Sequence, residues 1–205
     1  MKLFYTPGAC SLSPHIVLCE LGLPFVLEAV DLKTKKTESG ADFTAINPKG
    51  YVPALQLEDG EVLTEGPAIV QYLADKHAPG TLAPLAGTVE RAWLNGHLNF
   101  ISAELHKAFR PLFNPALAPE AREAAVANIG RKLDIVEKAL ADGRLYLTGP
   151  DFTVADAYLF VVLSWVPNFG IDLARWSRLG EFSRRVTARA AVQAAIAAEK
   201  LPKAA

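Results

Sequence analysis

The chain has 205 residues, enough for one large domain or two small ones with a sizeable apolar core. Its net charge is −1 and it lacks a basic run, which argues against nucleic-acid binding. Thr6–Gly8 interrupts the apolar start, and no apolar run approaches the roughly 20 residues of a membrane span, so we expect neither a signal peptide nor a membrane anchor. Two cysteines without a secretion signal indicate a cytoplasmic location.

The first 77 residues alternate between strand and helix patterns. This order predicts a small mixed sheet flanked by helices, which is an α/β domain over residues 1–77. The predicted strands are Lys2–Tyr5, Phe25–Val30, Ala54–Leu57 and Glu61–Leu63, and the predicted helices are Ser11–Leu21, Ala41–Ile46 and Ala68–Lys76.

The composition changes after His77. Residues 78–87 contain two prolines and two glycines and are interpreted as a linker. Residues 88–205 are rich in alanine with helical periodicity and are predicted to form an all-α domain, in which Thr153 and Asp156 match a helix capping box. The predicted helices are Val89–Phe109, Pro119–Leu140, Val154–Val166, Leu179–Ala188 and Val192–Ala198.

Cys10 is the strongest candidate for a reactive residue, because it falls between the first predicted strand and helix. Backbone N–H groups and the helix dipole favour a negative charge there, so we expect a thiol pKa well below the free value of about 8.5. The C-x-x-S spacing excludes a local disulfide, although this thiol could still form a mixed disulfide with a small thiol or hydrogen-bond to one. Ser11 and Tyr5 are rival hydroxyl groups, ranked below Cys10.

Two further segments suggest a site for a small peptide or amino acid. A cis bond between Val52 and Pro53 would expose the Val52 backbone for pairing with an extended peptide. At the start of the next helix, the Gly66 N–H suits a carboxylate and Glu65 suits an ammonium group. An ordinary acidic first turn explains Glu65 equally well.

A polar row marks the helix that begins at Val89. Asn95, Asn99, Ser102 and His106 recur at helical spacing and end in a basic cluster with Lys107 and Arg110. Such a row is either a solvated face or the wall of a cleft in which cations hold an anionic thiolate. His15 and Cys19 are spaced as a possible metal pair, but a third ligand is lacking and Cys19 fits the core, so we expect no metal.

Six segments in order resemble cytosolic glutathione transferases, and more narrowly their bacterial beta class. They are Met1–Tyr5, Pro7–Ser11, Asn47–Pro53, Leu63–Gly66, Glu104–Lys107 and Phe152–Ala157. The resemblance implies a thioredoxin-like N-terminal domain, an all-helical C-terminal domain, a homodimer and glutathione as co-substrate.

The resemblance also implies roles for individual residues. Cys10 would lie at the glutathione sulfur, with His106 and Lys107 nearby. Many relatives carry serine where this chain has Gly66, so affinity for the γ-glutamyl carboxylate is expected to be lower. The remaining glutathione contacts would be Lys35 at the glycyl carboxylate, Val52 with cis-Pro53 at the cysteinyl backbone, Glu65 with Gly66 at the γ-glutamyl group, and Asn99 with Glu104 across the dimer interface.

The leading hypothesis is a transferase that directs the glutathione thiolate at an apolar electrophile in a detoxification reaction. The candidate electrophile pocket comprises Phe109, Leu112, Phe113 and Trp165, all of them equally plausible as core residues. One alternative is a glutathione-dependent thiol–disulfide oxidoreductase or reductive dehalogenase with Cys10 as nucleophile. The other is a non-catalytic carrier of apolar ligands.

Overall fold

A computed structural model describes residues 1–200 and contains a five-stranded sheet in the N-terminal part. The strands are β1 (Lys2–Tyr5), β2 (Val26–Asp31), β3 (Lys36–Thr37), β4 (Ala54–Gln56) and β5 (Val62–Thr64). Their order across the sheet is β3-β2-β1-β4-β5, with β1 and β2 parallel and the other neighbouring pairs antiparallel. All four predicted strands are present. β3 has two residues in a polar segment, too short for a hydrophobic alternation, and sequence reasoning missed it.

Three helices accompany the sheet, namely α1 (Leu12–Glu20), α2 (Phe43–Ile46) and α3 (Gly66–His77). The residues of α1 from Leu12 to Leu18 are all buried, because the helix is covered by α3 and by helices of the C-terminal part as well as by the sheet. Burial of the polar Ser13 and His15 along with the apolar residues is consistent with this central position. The start of α1 therefore lies where the two parts of the molecule meet.

The C-terminal part is helical, and its centre is α6 (Val154–Ser164), of which the first ten residues are buried. The continuous apolar sequence of α6 accounts for this, because neighbouring helices surround it. The other helices are α4 (Val89–Phe100), α5 (Pro119–Ala139), α7 (Ser177–Thr187) and α8 (Ala190–Ala198). The glutathione transferase fold predicted from the sequence is confirmed: a thioredoxin-like sheet and its helices followed by a helical domain.

The helix predicted over Val89–Phe109 is present, but its hydrogen-bonding pattern changes partway along. α4 ends at Phe100 and continues as a wide π-helical segment, Ile101–His106. The additional residue in a π turn rotates all later side chains by about 100° relative to a regular helix. His106 is therefore out of line with Asn95 and Asn99, and the predicted polar row is broken.

The start of α6 carries the predicted capping box. Asp156 is fully buried and accepts hydrogen bonds from the Thr153 N–H (2.8 Å), the Thr153 hydroxyl (2.7 Å) and the Leu147 N–H (2.8 Å). Burial raises the pKa of Asp156 to about 6, although these donors lower it. The carboxyl group joins the loop before α6 to the helix itself.

Hydrogen bonds from α4 and from the start of α6 hold the segment 78–87 in place. The buried Arg91 side chain donates to the Asp75 carboxylate and to the Pro84 carbonyl at 2.5 Å, and the Val154 N–H donates to the Leu82 carbonyl at 2.9 Å. Domain boundaries at residues 77 and 88 stay a prediction. Within residues 1–200, no helix is both long and apolar enough to cross a membrane.

Candidate active site

The turn between β1 and α1 presents Cys10. The Ala9 N–H donates to the Thr6 carbonyl (3.0 Å), and Gly8 adopts a positive φ of 69°. The buried Ser11 hydroxyl donates to the Thr6 carbonyl and accepts from the Thr6 N–H, both at 3.2 Å. Both hydrogen bonds of the Ser11 hydroxyl are thus made within the turn, which leaves Cys10 as the candidate reactive group there.

The Cys10 thiol donates a hydrogen bond to the Val52 carbonyl at 3.4 Å. Its pKa is raised to about 11, first by burial and further by the charge of Glu65, although the N–H groups of Cys10 and Ser11 lower it. The expectation of a lowered pKa is therefore wrong, because desolvation outweighs the helix N-terminus. Cys10 is a neutral hydrogen-bond donor.

Gly8, two residues before Cys10, is fixed by the C-terminal part of the chain. The Trp165 indole N–H donates to the Gly8 carbonyl at 2.8 Å, and the Gly8 N–H donates to the Glu199 carboxylate at 2.9 Å. Glu199 also pairs with buried His15 at 2.8 Å, so His15 is engaged by this carboxylate. Sequence reasoning missed Glu199, because no local pattern links it to residues almost 190 positions earlier.

The loop before β4 provides an unpaired backbone donor next to Cys10. Val52–Pro53 is a cis peptide bond, as predicted. The Val52 carbonyl faces the Cys10 thiol, and the Val52 N–H has no partner among the residues that the structure describes. One face of this loop is therefore available to the backbone of an extended ligand.

Glu65 and Gly66 lie at the start of α3. Glu65 has a positive φ of 69° and a half-exposed carboxylate, which accepts a hydrogen bond from the Lys49 ammonium at 2.6 Å. Lys49 also donates to the Thr64 hydroxyl at 3.1 Å. A Cβ atom added to Gly66 would meet only the Pro53 ring, at 3.8 Å, so packing leaves room for a larger residue there.

Lys35 lies in the turn before β3 and has a positive φ of 59°. Its ammonium donates to the Gly50 carbonyl at 2.7 Å, and its aliphatic part lies over Gly50. This bond holds Lys35 against the loop that leads to Val52. We use the term cleft for the space between the Cys10 turn with its neighbouring loops and the side chains of the helical part. One acid (Glu65) and two ammonium groups (Lys35 and Lys49) lie on its sheet side, each of them hydrogen-bonded within the chain.

The helical side contributes His106, Tyr158 and Trp165. His106 Nδ1 lies 2.7 Å from the Tyr158 hydroxyl, and the His106 ring packs edge-to-face with Trp165 at 4.8 Å. The pKa of His106 is lowered by burial and by Lys107, which favours the neutral ring. The lowered pKa argues against the cationic role predicted for His106.

Tyr158 was missed by sequence reasoning. Its pKa is raised first by burial, and the negative charge of Glu65 adds to the shift, so its hydroxyl stays protonated. The available signal is one tyrosine hydroxyl within the run Ala157–Leu163, whose other residues are all apolar.

The predicted electrophile wall is partly exposed. Phe109 is fully buried and Leu112 nearly so, whereas Phe113 is 61% exposed. Phe113 packs against Trp165 at 6.3 Å and against Phe169 at 5.2 Å. Phe113 and Phe169 thus give the cleft an apolar edge. The buried Phe109 packs edge-to-face against Trp165, with the ring centroids 5.7 Å apart.

Three predicted residues have no contact with the Cys10 turn within the described part of the chain. Asn99 is exposed on α4, and Lys107 is exposed after the π-helical segment. Glu104 pairs with Lys132 of α5. Their predicted contacts with glutathione require a second subunit or a rearranged side chain.

The arrangement suits a thiol-containing peptide with an amino-acid head group. An ammonium group can exchange with Lys49 at Glu65, a peptide backbone can pair with Val52, and a thiolate can accept a hydrogen bond from neutral Cys10. An apolar reactant has Phe113 and Phe169 to pack against.

Two family models match the chain. One describes the N-terminal domain of glutathione S-transferases and matches residues 8–76, and the other describes the C-terminal domain and matches residues 119–185.

Relatives and solved structures match over almost the whole length. Glutathione S-transferase GstA of Escherichia coli O157:H7 is 46% identical, over 98% of this chain and 100% of the relative. A bacterial beta class glutathione S-transferase of Sphingomonas chungbukensis is similar at a TM-score of 0.94 with 48% identity, over 98% of this chain and 100% of the other. A sphingomonad glutathione S-transferase complexed with glutathione has the same score, identity and coverage.

Proposed function

This chain belongs to the bacterial beta class of the glutathione S-transferase family, and from that premise we propose the role of each group in the cleft around Cys10. The protein is an enzyme that uses glutathione as co-substrate and conjugates its thiolate to apolar electrophiles. The observation that carries our assignment is the meeting of Cys10, the Val52 loop and Glu65 on one side with Trp165 and His106 on the other.

We assign the binding of glutathione to the sheet side of the cleft. Its cysteinyl backbone pairs with Val52, next to cis-Pro53. Its γ-glutamyl ammonium displaces Lys49 from Glu65, its α-carboxylate meets the Gly66 N–H, and its glycyl carboxylate meets Lys35. Each is a charge-assisted or backbone hydrogen bond, and the unpaired Val52 N–H supports this orientation.

Activation of the thiol follows from the neutral state of Cys10. A thiolate is stabilised by hydrogen bonds donated to it, and each donor lowers the pKa of the bound thiol. The Cys10 thiol, with a pKa of about 11, keeps its proton beside a second sulfur and turns from the Val52 carbonyl to donate to it. His106 adds a second donor, and exposed Lys107 adds positive charge nearby.

The electrophile then binds against the aromatic edge of the helical side. Phe113 provides exposed ring surface there and half-buried Phe169 packs beside it. Trp165 links this edge to the Gly8 carbonyl in the turn that carries Cys10. Contact between the electrophile and these rings places its reactive carbon next to the sulfur, which lowers the entropic part of the barrier.

The functional unit is a homodimer, and the exposed face of α4 supports this proposal. Val89 is 56% exposed and Trp93 is 59% exposed, one turn apart on the same helix. A second copy would bury both, and the same contact would bring Asn99 and Glu104 towards the partner's cleft. Two free cysteines, Cys10 and Cys19, support the proposed cytoplasmic location.

Two activities of wild type and Cys10→Ala test the site. We would measure conjugation of glutathione to an aryl halide and reduction of a glutathione mixed disulfide. Because the pKa of Cys10 is raised to about 11, the thiol form predominates at neutral pH, which disfavours Cys10 as the redox nucleophile. We expect conjugation to fall through loss of the donor, and disulfide reduction to be weak already in the wild type.

The alternatives predict other results. Strong disulfide reduction that disappears in Cys10→Ala, with a mixed disulfide on Cys10 detected by mass spectrometry, would favour the oxidoreductase. A wild type that binds apolar ligands without either activity would favour the carrier.

A further inference from the structure

Tyr158 and His106 form an isolated hydrogen-bonded pair behind the reaction cleft. The Tyr158 side chain is 4% exposed, and its hydroxyl lies 2.7 Å from His106 Nδ1. Within residues 1–200, the hydroxyl has no other hydrogen-bond partner, and His106 Nε2 has none. The position of each proton in this pair therefore decides what His106 offers to the cleft.

Counting donors and acceptors determines these positions. If Nδ1 carried the proton, it would donate to the Tyr158 oxygen, and the buried tyrosine O–H would lack an acceptor. Leaving a buried donor unpaired is unfavourable, because the group loses its hydrogen bond to water without gaining another. If the tyrosine donates to Nδ1, both groups are satisfied and the single proton of the neutral ring resides on Nε2.

We propose that Tyr158 is a positioning residue that holds His106 in the Nε2–H form, so that this nitrogen donates a hydrogen bond to the sulfur of the bound thiol. This inference rests on the proposed placement of His106 beside the glutathione sulfur. It makes His106 a neutral donor and excludes it as the base that removes the thiol proton, because the lone pair of Nδ1 is already occupied by Tyr158.

Packing fixes the orientation of the His106 ring, in addition to the hydrogen bond that fixes the position of its proton. The His106 imidazole lies edge-to-face with Trp165 (4.8 Å) and with Tyr158 (6.0 Å). Trp165 is itself bonded to the Gly8 carbonyl. The chain of contacts from Tyr158 through His106 to Trp165 therefore joins α6, the π-helical segment and the catalytic turn.

The first test measures the proton position directly. Nitrogen-15 NMR of histidine-labelled, full-length protein at neutral pH distinguishes the Nε2–H, Nδ1–H and doubly protonated rings, and the spectrum of His106→Gln identifies the His106 signals among the four histidines. We expect Nε2–H in the wild type and a mixture of both neutral forms in Tyr158→Phe. Nδ1–H or a doubly protonated ring in the wild type would overturn the proposal, as would an unchanged Nε2–H form in Tyr158→Phe.

The second test is kinetic. Tyr158→Phe should lower kcat for aryl halide conjugation about tenfold, with the KM for glutathione within about twofold, because an orienting contact is lost while the binding contacts remain. The matched control is Tyr146→Phe, which removes the hydroxyl of another buried tyrosine, 3.5 Å from Arg189. We expect this control to stay within about twofold of the wild type.

A double mutant separates this inference from the role proposed for His106. Tyr158→Phe added to His106→Gln should cause no further loss, since Tyr158 acts through His106. A further tenfold loss would overturn the positioning role. If His106→Gln alone retained full activity, the placement of His106 at the sulfur would fail, whereas the wild-type NMR spectrum would still decide the proton position.

Discussion

The two sides of the cleft differ in how they hold their functional groups. On the sheet side, Lys35, Lys49 and Glu65 are charged, reach solvent, and are paired with other groups of the chain. On the helical side, Tyr158 and Trp165 are buried and neutral, and each makes one directed hydrogen bond. Exposed charges exchange partners at little cost, which suits ligand recognition, whereas buried neutral groups keep a fixed geometry, which suits the reacting sulfur.

The largest expected effect comes from the cap that starts α6. Asp156→Ala leaves the Thr153 and Leu147 N–H groups buried without acceptors, so we expect the free energy of unfolding to fall by about 3 kcal/mol or more. The matched control is Asp42→Ala at the exposed cap of α2, where we expect about 1 kcal/mol. Urea unfolding followed by circular dichroism measures both. Equal losses would contradict the distinction between buried and exposed caps.

An intermediate effect is expected from the indole that holds the catalytic turn. Trp165→Phe keeps an aromatic ring but removes the hydrogen bond to the Gly8 carbonyl, so Cys10 loses its fixed position. We expect kcat/KM for aryl halide conjugation to fall about tenfold. Trp176→Phe removes a similar indole bond, to Asp134 at 2.7 Å, away from the cleft and should change kcat/KM less than twofold. Similar losses in both variants would show that the effect is not specific to the turn.

The smallest effect is expected on the sheet side of the cleft, and it is a gain in affinity for glutathione rather than a loss of function. Lys49→Met frees the Glu65 carboxylate for the ammonium of glutathione, and an exposed ion pair contributes about 0.2–1 kcal/mol. The dissociation constant for glutathione, measured by calorimetry, should therefore fall by up to about fivefold. Lys33→Met removes an exposed lysine elsewhere in the N-terminal part and should leave the dissociation constant for glutathione unchanged. Weaker binding in Lys49→Met would instead place Lys49 among the groups that bind glutathione.

The fold was predictable because most elements carry their own local pattern. The four longer strands, the break after Tyr5 and the Thr153–Asp156 cap all follow from residue types at short spacing. The π-helical segment was not predictable from the apolar periodicity, because its hydrogen bonds shift by one residue without a proline or glycine to mark the change. That shift explains why the predicted polar row through Asn95, Asn99 and His106 does not form.

The sequence alone determined the family and the position of Cys10 at a strand-to-helix turn, because these depend on motifs in order along the chain. Only the tertiary structure decided the charge state of Cys10 and His106. Burial is a property of what packs around a side chain, and here it raises the pKa of Cys10 and lowers that of His106. Tyr158 and Glu199 meet the site for the same reason: they are distant in sequence and come together only when α6 and the end of α8 pack against the first turn.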